Sequence, residues 1–505
     1  MLDFEKIKKI KSDKIGFFRF KKFDDENYLI TNDVAKYSFL TVKEFGQFIS
    51  GKITHGDKYI ELLEKKFIKD DNYQDDMSIL YAKKNEFLAY GPNLHIVVVT
   101  LRCNHKCQYC HAAAAPVKAK NMDMTEETAR KVVDTIFYTS NNNIIIEFQG
   151  GEPLLNWDIV KYIVEYAEIK AYHLKKNVIF ALVSNLTLMD DEKMAYIINH
   201  NIDVSTSLDG DEETHNFNRT FKEGNSFEKV IYWINRINEE YKNNNIEKRI
   251  GALLTVTRKT LDRYKETIDT YVGLGLDGIF LRALNPYGFA ASDAKKLGYT
   301  MEEFIDFYHK SMKYILELNK KGVRFREKMS AIYLYKILTP IDPNYLDERS
   351  PCGACVGQVA YNYDGKVYSC DEGRMLGRMG DDSFMMTDLN EIKFDEYPGF
   401  EAYNSMIDSE TTKIMVQAST LDGLPGYNDS VYKPYIGVCP IHSYKMTGSI
   451  IPNFSKDSKK VLGYAILDYL FDKLRDDENK KIFNEWINMG LSGDGDGVVS
   501  QCDAS

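Results

Sequence analysis

The sequence predicts an α/β fold: a partial (β/α)6 barrel of the TIM type, preceded by a small N-terminal α+β module and followed by a second cysteine-bearing domain. Two observations predict the barrel. From Leu94 onward, short apolar runs alternate with amphipathic helical patterns, and a polar cysteine loop follows the first of these runs directly. The runs are Ile96–Leu101, Ile144–Phe148, Val178–Val183, Ile202–Leu208, Gly251–Val256 and Gly278–Leu281. Between them lie the helical patterns Thr125–Tyr138, Trp157–His173, Glu192–His200, Ser226–Tyr241 and Leu261–Gly273. Strands rich in Val, Ile and Leu, separated by helices of this length, describe a parallel sheet. Six such units close part of a barrel, whose reactive face lies at the strand C-termini.

The 505 residues, 44 % of them hydrophobic, can bury several cores, and length alone suggests about two to four domains. Residues 1–90 form the N-terminal module, with strand-like runs at Gly16–Phe20 and Tyr28–Thr31 and helical patterns at Thr41–Ile49 and Tyr59–Lys66. The barrel spans 91–320, a helical linker 321–350, the second cysteine domain 351–455 and C-terminal helices 456–490. In the second cysteine domain, Asp364-Gly365 between alternating residues reads as a hairpin turn. Residues 491–505 are a glycine-rich, flexible tail. Its Asp494-Gly495-Asp496-Gly497 lacks the glutamate of a calcium loop. No internal repeat points to a solenoid.

A net charge of −10 and a pI near 5.6 argue against nucleic acid as a partner. No stretch approaches the length of uncharged apolar sequence that a membrane span needs. The charged start, MLDFEKIKKIKSDK, lacks the apolar region of a secretory signal. Eight free cysteines in such a chain predict a reducing cytoplasm and metal binding rather than disulfides.

Cys103, Cys107 and Cys110 stand in a C-x3-C-x2-C pattern. At this cysteine content the spacing arises by chance in roughly two chains per thousand. His105, Lys106, Gln108 and Tyr109 make the segment a polar loop rather than a buried core. Three thiolates can hold three irons of a [4Fe–4S] cluster and leave the fourth open, whereas a closed structural site needs a fourth local ligand. The second strand runs into Gly150-Gly151-Glu152-Pro153. The glycines let backbone approach a ligand, and Glu152 offers a carboxylate to a cationic group.

Together, these two motifs resemble the radical S-adenosylmethionine (SAM) superfamily over roughly residues 94–320. The resemblance implies a cluster on Cys103, Cys107 and Cys110 whose open iron chelates the methionine moiety of SAM. It implies reductive cleavage of SAM to methionine and a 5′-deoxyadenosyl radical. It also implies SAM contacts from Tyr109, Gly150, Gly151, Glu152, Ser184, Asn185, Ser207, Arg219 and Leu281. Arg219 belongs to an S-L-D-G…H-x3-R arrangement, from Ser207-Leu208-Asp209-Gly210 through His215, that resembles the peptide-modifying branch. There the arginine contacts the SAM carboxylate.

Cys352, Cys355 and Cys370 open a segment that resembles the start of a SPASM domain, an auxiliary-cluster extension. Further on, the pattern for that domain's remaining cysteines puts Tyr427, Ser430 and Ile436 at three cysteine positions and Cys439 at the last. Ile436 has no donor atom. The resemblance therefore implies a reduced SPASM-like domain with one auxiliary [4Fe–4S] cluster on Cys352, Cys355, Cys370 and Cys439. The same four thiolates also suit zinc. Cys502 has no assigned site. Asp371, next to Cys370, stands where sulfatase-maturase relatives place a catalytic base, and a turn residue is the other reading.

The arrangement is similar to the His-Xaa-Ser system maturase subgroup. It implies an enzyme that oxidatively modifies, and crosslinks, a ribosomally made precursor peptide. A flavodoxin- or ferredoxin-type reductant and a paired second radical SAM enzyme are the further partners it implies. The N-terminal module fits either leader-peptide recognition by strand addition or plain packing. The alternatives are a formylglycine-generating sulfatase maturase, or a non-catalytic iron–sulfur protein that presents a peptide to another enzyme.

Overall fold

The computed structural model describes residues 12–394 and 399–490. The tail with its Asp-Gly repeat and Cys502 lies outside the described residues.

The N-terminal module is an antiparallel sheet in the order β1 (Arg19–Lys22), β2 (Asn27–Thr31), β3 (Tyr37–Thr41). It packs with helices α1 (Val42–Ile49), α2 (Asp57–Glu64) and α3 (Tyr73–Lys84). Thr41 ends β3 and at once caps α1: its hydroxyl accepts from the Glu44 N–H, and Glu44 returns a bond to the Thr41 N–H. This reciprocal capping box lets a strand turn directly into a helix. The module has its own apolar core, with Ile30, Leu40, Phe48, Leu62 and Phe67 buried.

Six parallel strands form the barrel sheet: β4 (Leu94–Thr100), β5 (Asn143–Gly150), β6 (Asn177–Ser184), β7 (Asp203–Ser207), β8 (Gly251–Thr255) and β9 (Leu281–Arg282). All seven residues of β4 are buried, as expected for a strand covered on both faces. Helices α4 (Glu126–Ile136), α5 (Trp157–Leu174), α6 (Asp191–Asn199), α7 (Glu212–Asn218) and α8 (Ser226–Asn243) lie between these strands, and the helix Tyr264–Gly273 lies between β8 and β9. Their caps follow the sequence: Thr125, Asp190, Asp211 and Asn225 each accept a backbone N–H of the first turn, satisfying donors that otherwise have no partner.

The last predicted run divides. Gly278–Ile279 pairs with Arg326–Glu327, while Leu281–Arg282 pairs with β8. The sheet also does not stop at β4. Strand β10 (Gln358–Tyr361) lies parallel to β4, and β11 (Lys366–Tyr368) and β12 (Met385–Asp388) follow antiparallel, giving nine strands in one sheet. The Asp364-Gly365 turn joins β10 to β11, with Gly365 at φ +90°. The second cysteine domain thus begins inside the barrel sheet. Helices α9 (Asp371–Arg378), α10 (Pro440–Thr447), α11 (Ser458–Lys473) and α12 (Asp477–Asn488) complete the C-terminal part. Among the described residues no helix is long and apolar enough to cross a membrane.

Candidate active site

The cysteine loop leaves the C-terminal end of β4 and is braced before it bears any ligand. Arg102 grips Asp123 through Nε at 2.6 Å and Nη2 at 2.7 Å, and the Thr100 hydroxyl donates to the same carboxylate at 2.6 Å. A fork of this kind fixes direction as well as distance. Next, His105–Cys107 pairs antiparallel with Arg219–Phe221, which sets Arg219 opposite Cys107.

The Gly150-Gly151 turn lies against the backbone of this loop. A Cβ on Gly150, at φ +154°, would stand 2.0 Å from the Thr100 carbonyl oxygen. One on Gly151 would stand 2.2 Å from that of Arg102. Only glycine permits this approach. In return the Gly151 N–H donates to Thr100 O at 2.9 Å and the Glu152 N–H to Arg102 O at 2.7 Å.

Glu152 is fully buried. Its Oε1 accepts from the Ser184 hydroxyl at 2.7 Å and the Leu154 N–H at 3.1 Å, and its Oε2 from the Asn185 N–H at 2.8 Å. Burial pushes its pKa up to about 7 against the pull of these donors. Asn185 in turn aims Nδ2 at Cys103 Sγ, 3.9 Å away. Glu152, Ser184 and Asn185 are therefore one hydrogen-bonded unit beside the first cysteine.

A second unit stands beside Cys107. Arg219 holds Asp209 through Nε at 3.0 Å and Nη2 at 3.2 Å, and directs Nη1 at Cys107 Sγ, 3.9 Å away. The Tyr109 hydroxyl donates to Asp209 at 2.6 Å, and the guanidinium lies 5.3 Å from the Tyr109 ring centre. Behind them, the Ser226 hydroxyl bridges His105 at 2.8 Å and His215 at 3.0 Å. Burial holds both imidazoles neutral, with pKa values down to about 3.

The donor set fits a cluster. Burial pushes the Cys107 thiol up to about 12 and the Cys103 thiol well above its ordinary value. Each keeps its proton at neutral pH until a metal replaces it. All three sulfurs come from one partly exposed loop, and two of them already face N–H donors. Three thiolates with no fourth neighbour in the loop suit a [4Fe–4S] cluster with one iron free for another ligand.

Next to this rim lies a cavity of about 410 Å³. His111, Thr255, Leu281 and Arg282 line it from the barrel; Glu372, His442 and Lys459 line it from the C-terminal part. Ser207 ends β7 opposite Leu253, two residues before Asp209.

Three of the other cysteines are connected to the cavity wall. The Cys370 thiol donates to Glu372 at 3.3 Å, and Cys439 Sγ accepts the His442 N–H at 3.4 Å. Cys352 is buried and feels Cys439 and Asp347; the Cys355 thiol, pushed up to about 12 by burial, meets Thr412. Asp371 sits in the first turn of α9, held by Arg374 through Nε at 2.8 Å and Nη2 at 2.7 Å. Tyr427 and Ser430 are engaged elsewhere: the Tyr427 hydroxyl donates to Asp457 at 2.6 Å, and Ser430 Oγ accepts from Tyr464. Ile436 is buried in the core.

Two residues outside the predicted set belong to the site. Asp209 carries the Arg219–Tyr109 unit, and its signal was its place inside the quoted S-L-D-G stretch. His111 follows Cys110 directly and lines the cavity with a buried Nε2 that has no partner among the described residues. Nothing in its type or spacing singles it out.

Residues 97–269 match the radical SAM superfamily. The radical SAM cyclopropyl synthase TigE of Paramaledivibacter caminithermalis is 24 % identical over 395 residues, which cover 74 % of this chain and 78 % of TigE. A cysteine-type anaerobic sulfatase-maturating enzyme of Clostridium perfringens (strain 13 / Type A) is 28 % identical over 278 residues, 53 % of this chain and 71 % of that protein. Among solved structures, native anSMEcpe with bound AdoMet aligns with a TM-score of 0.61 at 17 % identity, over 79 % of this chain and 100 % of its own. Cysteine loop, glycine turn and barrel rim thus agree with the sequence match: the chain carries a radical SAM domain over residues 97–269.

Proposed function

We propose that this enzyme oxidatively modifies a ribosomally made precursor peptide, forming a crosslink within it. The observation that carries this reading is the cavity between two cysteine sets, with His111 and Arg282 on one wall and Glu372 and Lys459 on the other. When bound to Cys103, Cys107 and Cys110, a [4Fe–4S] cluster with SAM supplies a radical able to take hydrogen from an unactivated C–H.

The chain's own residues position that chemistry. Glu152, held between Ser184 and Asn185, offers a carboxylate to the SAM ammonium. Arg219 has two nitrogens committed to Asp209, which leaves Nη1 for the SAM carboxylate. Tyr109 and Leu281 border the adenine, and Gly150, Gly151 and Ser207 shape the backbone around it. Cys352, Cys355, Cys370 and Cys439 would hold the auxiliary [4Fe–4S] cluster. In this reading Asp371, held by Arg374, takes the proton released by the substrate. A flavodoxin- or ferredoxin-type protein delivers the electron. The N-terminal sheet offers the edges of β1 and β3 to a leader peptide.

The likeness to the C. perfringens enzyme, sulfatase-maturating by name, supports a second reading: conversion of a sulfatase cysteine or serine to formylglycine. One experiment separates them. The reconstituted enzyme, SAM and dithionite are incubated anaerobically with the peptide encoded beside the gene, and separately with a sulfatase-motif peptide. The first reading expects 5′-deoxyadenosine and a product lighter by the hydrogens removed, with the neighbouring peptide only. Absence of 5′-deoxyadenosine in both tubes would overturn both readings.

A further inference from the structure

The C-terminal helix α11 brings a cation to the wall of the cavity. Asp457 caps α11 by accepting the N–H groups of Lys459 at 2.9 Å and Lys460 at 3.2 Å, while its other oxygen accepts from Tyr427. Ser458 then bonds His442 Nε2 at 3.1 Å, and the His442 N–H donates to Cys439 Sγ at 3.4 Å. Two short links thus tie the first turn of α11 to the cysteine that caps α10. Lys459 lines the cavity at this point together with Glu372, which accepts the Cys370 thiol.

We infer that Lys459 is the counter-charge of the auxiliary site, set there to make a cluster on Cys352, Cys355, Cys370 and Cys439 a better electron acceptor. The inference rests on the auxiliary-cluster reading above. Oxidation of a substrate-centred radical to a closed-shell product releases one electron and one proton. The electron would pass to the auxiliary cluster, reducing it by one unit, and the proton to Asp371. Four thiolates crowd negative charge around that cluster and oppose the extra electron. Lys459 shares the cavity wall with Asp347, Glu372 and His442, and a fixed ammonium there offsets it.

The test isolates the auxiliary cluster. In a chain with Cys103, Cys107 and Cys110 replaced by alanine, the remaining cluster is titrated anaerobically against redox mediators and followed by EPR. Lys459→Met is expected to shift the midpoint to a more negative potential with iron content unchanged, and Lys459→Arg to keep it near that of the parent. In the chain with both cysteine sets intact, Lys459→Met should still form 5′-deoxyadenosine but yield less peptide product per 5′-deoxyadenosine. A midpoint unmoved by Lys459→Met, in a protein that holds its iron, overturns the role of Lys459. Absence of any cluster signal in the triple-alanine parent overturns the auxiliary-cluster reading itself, and this inference with it.

Discussion

Arg219 commits two of its three nitrogens to Asp209 and turns the third toward Cys107. The carboxylate does more than neutralise the guanidinium: it fixes the plane of the fork, so that one N–H faces the site.

Replacing Asp209 with Asn keeps the shape but weakens this grip. We expect SAM affinity to fall roughly tenfold or more, the scale of one lost charge-assisted contact, with the barrel still folded. Titration of SAM against the reconstituted enzyme, read by the EPR signal, measures this. An unchanged affinity would mean that Arg219 is held by strand pairing with Cys107 alone.

Gly151→Ala should be among the most damaging small substitutions, because the new methyl would meet the Arg102 carbonyl at 2.2 Å. Both partners are backbone, so the turn itself must move. We expect destabilisation of about 2 kcal/mol or more and loss of iron from the first cysteine set. Thermal unfolding and iron analysis check the two effects separately.

Iron content discriminates among cluster arrangements. Tyr427, Ser430 and Ile436 are occupied by protein partners or the core, so two clusters, about eight irons per chain, are expected. Alanine at Cys103, Cys107 and Cys110 should leave about four and abolish SAM cleavage. A content near four with one zinc would assign the C-terminal cysteines to zinc.

Acid should destabilise the fold below pH 6.5. His95 lies on β4, fully buried, and burial holds its pKa down to about 3, against the ordinary 6.5 that it recovers on unfolding. Between those values the unfolded chain binds the extra proton, so stability is intact above pH 6.5 and falls as pH drops. The loss is about 1.4 kcal/mol per pH unit for each such histidine. Tm measured from pH 7.5 to pH 5 tests this, and His95→Gln should flatten part of the slope.

The first five barrel strands and the cysteine loop were legible because both are local. Apolar runs announce buried strands, and a C-x3-C-x2-C loop carries its chemistry in its own spacing. The cavity was not legible. It joins His111 and Arg282 to Glu372 and Lys459, residues brought together by the pairing of β10 with β4 and by the docking of α11. Period alone shows that a helix has an apolar face, never which wall it will cover. β3 was missed for a local reason: it passes into α1 through the Thr41 cap, with no turn residues to mark its end.

The shared sheet has one more consequence. Cys103 follows β4, and Cys352 and Cys355 precede β10, its hydrogen-bonded neighbour. The two strands run parallel with Gln358 opposite Leu94, so Cys103 and the Cys352–Cys355 pair stand at opposite ends of the strand pair, and their separation is measured out along the backbone of β4, at about 3.3 Å per residue, rather than left to a tether. An electron leaving one set for the other, by way of a substrate lodged between them, would cross a fixed span, and no hinge between the two halves could lengthen it without tearing the sheet.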